Sequence, residues 1–350
     1  MARAPRLRRV DCSTPGITRR RAGRGFVYLR DGERITDPEV VTRIRALAIP
    51  PAWTDVWICP LPTGHIQAVG TDAAGRKQYR YHDAWRERRD QEKFDHMLGF
   101  ARALPALRGV LETHLASGDM SRERVLACAT RLLDIGFFRI GTEGYAEQNQ
   151  SYGLATIEKR HVRLSDGAVT FDYVAKSGQR RLRALVDPDV YDVVAALKRR
   201  RGGSPELLAY RSGRRWADVR SADINAYIKE ITGDDFTAKD FRTWNATVLA
   251  AVGLAVASVA SEATSPTARK RVVARAMQEV AHHLGNTPAV SRSSYVDPRV
   301  VDRYQAGTVI DVEFMRLGED APLGQLPFQG PVEQAVIELL DDSDGATRVA

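Results

Sequence analysis

The sequence has few of the groups from which many enzymes build their chemistry. Its three cysteines, Cys12, Cys59 and Cys128, lie far apart and form no CxxC pair. Neither a structural zinc site nor a disulfide framework is expected from them. No GxxxxGK[ST] segment occurs, so a P-loop nucleotide site is not expected. Histidine, cysteine and carboxylate residues nowhere fall at metal-ligand spacing. The one Asp-x-Asp, Asp187-Pro188-Asp189, precedes a predicted helix, where aspartate and proline serve as caps. His282 and His283 are adjacent, and neighbours on a helix point roughly 100° apart and rarely share an ion. No apolar run reaches the roughly 18 residues that span a bilayer. The basic start, Met1–Arg9, is not followed by an apolar stretch, which argues against a secretory signal. The expectation is a cytoplasmic protein with no metal, no cofactor and no membrane partner.

What is present is positive charge. Residues 1–300 hold 49 Lys+Arg against 34 Asp+Glu, whereas the last fifty hold 3 against 10. A basic body suits a polyanion, because each phosphate neutralised releases condensed counterions. Charge alone fits a basic soluble protein equally well. With 43% hydrophobic residues over 350 positions, the chain can bury the cores of two domains.

The organisation is α+β. Residues 1–24 are rich in arginine, glycine and proline without periodicity and read as a basic flexible arm. Residues 25–88 contain short apolar or alternating runs, such as Phe26–Leu29, Val56–Cys59 and His65–Val69. Turn signals at Asp31-Gly32, Pro62-Thr63-Gly64 and Ala74-Gly75 separate them. This predicts a small β-rich domain with one helix near Pro38–Ala48. Residues 89–306 turn helical, with apolar spacing at Phe94, Met97, Leu98 and Ala101. Further helices are predicted at Leu104–Leu115, Arg122–Asp134, Pro188–Arg199 and Ala222–Ile231. Three short strands interrupt them at 161–164, 169–174 and 181–185, with turns at Ser165-Asp166-Gly167 and Lys176-Ser177-Gly178. Residues 307–350 form an acidic C-terminal extension containing one amphipathic helix, Val332–Leu340.

Three segments carry candidate chemistry: Phe137–His161, Thr237–Thr247 and Val280–Asp297. Together they offer Arg139, the hairpin residue Lys176, Lys239 with Arg242, then Asn286 and Tyr295. Each alone has an ordinary structural explanation, and the force lies in the set. Two guanidiniums can fork onto the non-bridging oxygens of one phosphate. A lysine can protonate a leaving oxygen. A side-chain amide can add a hydrogen bond. A phenol with a pKa near 10 becomes a fair nucleophile once cations favour its anion, and is then a good leaving group.

These segments resemble the poxvirus-type and bacterial type IB DNA topoisomerases, from about Gly25 to Tyr304. The most specific pieces are GRKQYRYH (75–82), FFRIG with SYGLAT (137–156), KDFRTW (239–244), and LGNTP with SY (284–295). The resemblance implies a catalytic set of Arg139, Lys176, Arg242, Asn286 and Tyr295, with Lys239 close to the scissile phosphate. It implies DNA contacts from Arg76, Lys77, Gln78, Tyr79 and Tyr81, and from Tyr145. It also implies a DNA-breaking-rejoining fold, a β-rich N-terminal domain and a mainly helical catalytic domain with a short three-stranded sheet, forming a C-shaped clamp. The function implied is relaxation of positive and negative supercoils through a 3′-phosphotyrosyl intermediate. It would proceed without ATP or metal, by a monomer acting on double-stranded DNA and associated with the nucleoid.

One departure stands out. The viral enzymes carry histidine where this chain has Asn286, which can donate a hydrogen bond but cannot become cationic. Activity is expected to survive the change. A tyrosine recombinase would use a similar set of residues. However, KDFR stands where a recombinase has His-x-x-Arg, GNTP replaces its Leu-x-His segment, and the N-terminal region is β-rich. A non-catalytic DNA-binding clamp is the alternative of another class, and Asn286 is the only feature that favours it.

Overall fold

The computed structural model describes residues 6–260, 265–311, 329–341 and 347–348; the side chains of Tyr145, Glu147, Gln148, Ala260, Thr347 and Arg348 lie outside that description. The chain divides into two units, Met1–Asp95 and His96–Ala350. The first unit is an antiparallel sheet built from β1 (Ile17–Ala22), β2 (Gly25–Arg30), β3 (Glu33–Arg34), β4 (Thr54–Ile58), β5 (Ile66–Thr71) and β6 (Lys77–Tyr81). The spatial order is β3-β2-β1-β4-β5-β6, which leaves β6 at an edge. Helix α1 (Pro38–Ala46) supplies Ile44 to a core shared with Ile17, Val56, Ile58 and Ala68.

The expectation of a flexible arm over residues 1–24 is corrected by β1. Arginine-rich composition reports how a segment is solvated, not whether its backbone pairs. Ile17 is buried in the core, and the guanidinium of Arg19 donates to the carbonyls of Ile49, Pro50 and Trp53 while lying 4.1 Å from the Phe26 ring centre. The remaining arginines of the strand, Arg20 and Arg21, fall at exposed positions that tolerate charge.

Helix α2 (Asp83–Leu115) runs from the first unit into the second as one element through Pro105. Proline in a helix removes one backbone hydrogen bond. Burial of Leu104, Leu107, Leu111 and Leu115 along the same stretch offsets that loss. The second unit continues with α3 (Arg122–Gly136), α4 (Glu143–Asn149), the strands β7 (Val162–Ser165), β8 (Ala168–Ala175) and β9 (Gln179–Val186), and α5 (Pro188–Arg199). A hairpin that the sequence pattern did not predict follows, β10 (Ala209–Ser212) and β11 (Arg215–Asp218). Then come α6 (Ser221–Thr232), α7 (Ala238–Ala260), α8 (Pro266–Leu284), α9 (Pro288–Ser294) and α10 (Pro298–Gln305). The last described elements are β12 (Thr308–Val309), α11 (Pro331–Leu340) and β13 (Thr347–Arg348).

Several helices begin with the same local device. Asp187 before α5, Ser265 before α8, Thr287 before α9 and Asp297 before α10 each accept a backbone N–H with the side chain, and proline follows at the first helical position. The cap satisfies an orphan donor, and the proline sits where a missing N–H costs nothing. Asp187 and Pro188 therefore act as the cap expected of them.

Helix α7 is the axis of the second unit. Its stretch Ala238–Val259 is apolar and long enough by composition to cross a membrane. In this fold it is wrapped by α3, α6, α8, α10 and α11. Phe241, Trp244, Val248, Ala251 and Leu254 are buried along it. Phe100 packs edge-on against Phe241 at 4.8 Å and against Phe236 at 5.4 Å. Each such ring pair adds about 0.5–1.5 kcal/mol beyond its area.

The acidic extension, 307–350, carries the amphipathic helix expected of it. Its helix α11 buries Val332, Ala335, Val336, Leu339 and Leu340 and packs against α7 and α10. Glu333 is buried with them. It accepts two hydrogen bonds from Arg108 (2.6 and 3.0 Å) and one from the Trp244 indole (2.8 Å). Composition showed the negative charge of this segment but not its partners, which come from α2 and α7. Residues 312–328 and 342–346 of the extension lie outside the described residues.

Candidate active site

The site is assembled around Arg139. Helix α3 ends with Phe137 in the left-handed region (φ 57°), and the chain then runs extended. Leu154 N–H donates to the Arg139 carbonyl and Ala155 N–H to the Ile140 carbonyl, both at 2.8 Å. Gly141 and Gly153 sit face to face where these stretches meet. A Cβ on Gly141 would stand 2.7 Å from the Gly153 Cα. The FFRIG and SYGL segments are therefore one structural feature: two backbones brought too close for side chains, fixing the residue between them.

The end of α8 explains where the arginines go. A helix leaves its last carbonyls without intrahelical partners. Gly285 and Asn286 return their N–H groups to Ala281. The next four carbonyls are all taken by arginines. Arg181 donates to His282 (3.2 Å), Arg183 to His283, Arg242 to Leu284 (3.0 Å) and Arg139 to Gly285 (3.0 Å). Arg242 also donates to the Phe137 carbonyl at 2.6 Å. Four cations from β9, α7 and the segment after α3 thus gather at the negative end of a helix dipole. Among the described residues, none of the four has a carboxylate partner. Arg108, by contrast, is paired with Asp134 and Glu333, and Arg131 with Asp187.

Asn286 completes the group. Its Oδ1 accepts from Arg139, while its Nδ2 is buried without a hydrogen-bond partner. Tyr295 caps the C-terminus of α9, with its ring centre 5.3 Å from the Arg242 guanidinium carbon. Thr247 on α7, which sequence reasoning passed over, anchors this segment. Its hydroxyl accepts the Asp297 N–H at 3.1 Å and lies 3.3 Å from the Tyr295 carbonyl. A hydroxyl one turn beyond Arg242 has no sequence signature that marks it for this work.

The electrostatics separate two phenols that face the same cations. Burial pushes the Tyr295 phenol up, but Arg242, Arg139 and Lys239 together outweigh it and hold the group below its ordinary value of 10. Tyr173 on β8 faces Arg181, Arg183, Arg242 and Arg139 but is only 6% exposed. There burial prevails and the phenol is raised. Arg242, 4% exposed, is pushed down to about 10 by burial, against the pull of the Tyr295 phenol. A buried cation held by two carbonyls and a phenol lacks a carboxylate counter-anion.

The structure brings together Arg139, Arg242, Asn286 and Tyr295. Lys239 lies exposed in the first turn of α7, three residues before Arg242. Lys176 stands exposed at the β8–β9 turn, and among the described residues no hydrogen bond or ion pair joins it to the others. In the first unit, Lys77, Tyr79 and Tyr81 share the exposed face of β6. The two tyrosine rings stack at 6.0 Å, with the Lys77 ammonium 5.8 Å from the Tyr79 ring centre. Gln78 points to the other face, and its amide donates to Asp72 (3.0 Å), as does the Arg76 guanidinium (3.0 Å). The side chain of Tyr145 lies outside the described residues.

A phenol held toward its anion beside guanidiniums that lack a carboxylate counter-anion has the positive charge to receive a phosphate group. Comparison with known proteins gives the family. Residues 82–310 match the family model described as eukaryotic DNA topoisomerase I, catalytic core, and residues 25–72 match bacterial DNA topoisomerase IB, N-terminal domain. The chain belongs to the type IB DNA topoisomerases. It is 34% identical to DNA topoisomerase 1B of Acanthamoeba polyphaga mimivirus over 83% of this chain and 88% of the relative. It is 22% identical to DNA topoisomerase 1B of vaccinia virus (strain Copenhagen) over 70% and 74%, respectively. A plant relative, DNA topoisomerase 1 of Daucus carota, is 24% identical over 45% of this chain and 19% of its own length.

Proposed function

We propose that this protein relaxes positively and negatively supercoiled double-stranded DNA as a monomer, without ATP and without a metal ion. The observation that carries the reading is the convergence of arginines without carboxylate partners on Asn286 and a Tyr295 phenol held below its ordinary pKa. These groups supply, from one chain, the positive charge and hydrogen bonds that a phosphoryl-transfer transition state needs.

In this mechanism the Tyr295 phenol gives its proton to solvent, the phenolate oxygen attacks a backbone phosphorus and the bond to the 5′ oxygen breaks. The product is a phosphotyrosyl bond to the 3′ end. Arg139 and Arg242 exchange helix-end carbonyls for the two non-bridging oxygens. Asn286 donates its unused Nδ2–H to the same phosphate. Lys176, carried on the hairpin tip, gives its proton to the departing 5′ oxygen. The broken strand swivels under torsional strain, the 5′ hydroxyl returns its proton to Lys176, and it then displaces Tyr295. One ester is exchanged for another of similar energy, so the cycle needs no external driver. The exposed face of β6, with Lys77, Tyr79 and Tyr81, offers a cation and two phenols to the duplex.

The test is relaxation of both supercoil signs in excess EDTA without ATP, wild type against Tyr295→Phe. Relaxation of both by wild type and neither by the variant supports the reading. Relaxation by Tyr295→Phe would overturn it, and so would dependence of the wild type on added metal.

A further inference from the structure

Lys176 poses a problem of placement. It must reach the phosphate that Tyr295 attacks, yet it projects exposed from a two-strand turn and, among the described residues, makes no hydrogen bond or ion pair with the other site residues. Strand β9 is the edge of its sheet, with order β7-β8-β9, so among the described residues one side of the hairpin has no strand neighbour. Some other contact must set where the hairpin stands.

We propose that Arg181 and Arg183 are positioning residues that clasp the Lys176 hairpin to the segment carrying Asn286 and Tyr295. The two arginines are two residues apart on β9 and so share one face of the strand. Both reach the same helix end, Arg181 at the His282 carbonyl and Arg183 at the His283 carbonyl. Their intervening neighbour, Leu182, is on the opposite face and 62% exposed. The alternation therefore sends cations inward and leaves an apolar side chain in water, the reverse of what solubility alone would select.

The register shows what the clasp would hold. Arg181 pairs with Tyr173, Gln179 pairs with Ala175, and Lys176 follows directly. The lysine thus lies about 10 Å beyond Arg181 along the hairpin, at ~3.3 Å per residue. The other end of the clasp is three to four residues before Asn286. Gly285, between them, has φ 63°, and a Cβ there would overlap the Arg181 guanidinium. The contact is therefore built into both partners: the helix end has no side chain where the arginine lies.

This inference rests on the proton-donor role assigned above to Lys176. Loss of the clasp lets the hairpin drift, and a misplacement of about 1 Å costs roughly 10–100-fold in rate. The defect falls on protonation of the leaving oxygen rather than on DNA binding. A substrate whose scissile 5′ oxygen is replaced by sulfur leaves as a thiolate and needs no proton, so it reads this step selectively.

The experiment is single-turnover cleavage by the full chain on a duplex with a mapped cleavage site, with oxygen or sulfur at the 5′ bridging position. The variants are Arg181→Ala, Arg183→Ala, the double alanine, the double lysine, Lys176→Ala and Tyr295→Phe. The expected result is that the alanine variants are slowed on oxygen but return to within a few-fold of wild type on sulfur, as Lys176→Ala does. The lysine variant, which still donates to a carbonyl, retains most of the rate on oxygen. DNA affinity and melting temperature distinguish a misfolded variant, which is slow on both substrates. If Lys176→Ala is rescued by sulfur while the folded arginine variants are not, the clasp is overturned and the proton-donor role stands. If Lys176→Ala is not rescued, the proton-donor role fails and the clasp loses its purpose with it.

Discussion

The Arg242 guanidinium carbon stands 5.3 Å from the centre of the Tyr295 ring, in a pocket where the arginine is almost wholly buried. Each group changes the other: the phenol raises the basicity of the arginine, and the arginine lowers the pKa of the phenol.

That pairing has a pH signature. In the proposed mechanism Tyr295 attacks as its phenolate, and its pKa lies below 10, so the single-turnover cleavage rate should rise with pH and level off below pH 10. Arg242→Gln removes the largest cationic influence. The inflection should then move upward while the plateau rate falls by about 100-fold or more. An inflection unchanged in Arg242→Gln would show that this arginine does not set the phenol.

Asn286 is used on one side of its amide only. Its Oδ1 holds Arg139 and its Nδ2 is unused. Asn286→Asp keeps the acceptor and strengthens the tie to Arg139, but replaces the free donor with negative charge. It should lose more cleavage activity than Asn286→Ala while melting at or above the wild-type temperature. A wild-type cleavage rate in Asn286→Ala would argue against a donor role for Nδ2.

The close contact of Gly141 with Gly153 predicts intolerance of a single methyl group. Gly153→Ala places a Cβ 2.8 Å from the Arg139 carbonyl and 2.5 Å from the Gly141 backbone. The stretch bearing Arg139 must move, at a cost of about 1–3 kcal/mol. Thermal melting and cleavage rate should fall together. A variant with wild-type activity would show that Arg139 does not depend on this contact.

Helix α11 should behave as part of the second unit. Glu333→Ala leaves the Trp244 indole N–H without its acceptor and strips Arg108 of one of two carboxylates. Breaking a buried pair of this kind costs about 3–5 kcal/mol. Melting of the variant should drop by several degrees or more. No change in melting would mean that α11 is dispensable to the fold.

On β6, Lys77 and the two tyrosines should separate by salt dependence. Lys77→Ala should reduce the slope of log affinity against log salt by about one. Tyr79→Phe should weaken DNA binding with the slope unchanged. Identical slopes for wild type and Lys77→Ala would remove that lysine from the phosphate contacts.

Much of this molecule was legible in its residue order. Apolar periodicity and the Asp187-Pro188 start are local signals, and they placed α1, α2, α3, α5, α6 and α11; the Ser-Pro and Thr-Pro starts of α8 and α9 went unread. The Asp166-Gly167 and Ser177-Gly178 turns placed the three-stranded sheet, since turn residues act through their own backbone angles. The order Arg139, Lys176, Arg242, Asn286, Tyr295 pointed to phosphate chemistry because side-chain chemistry does not depend on the fold. The contacts were not legible, because the acceptors are backbone carbonyls and every residue has one. Arg181 and Arg183 look like ordinary surface residues of a strand until the end of α8 is laid against them. Arg19 looks like part of a loose arm until three carbonyls some 30 residues away meet its guanidinium. Glu333 looks like tail charge until Arg108, 225 positions earlier, and Trp244, 89 positions earlier, close around it. Local propensity and chemical type are properties of a segment, whereas burial and pairing are properties of what arrives beside it from elsewhere in the chain.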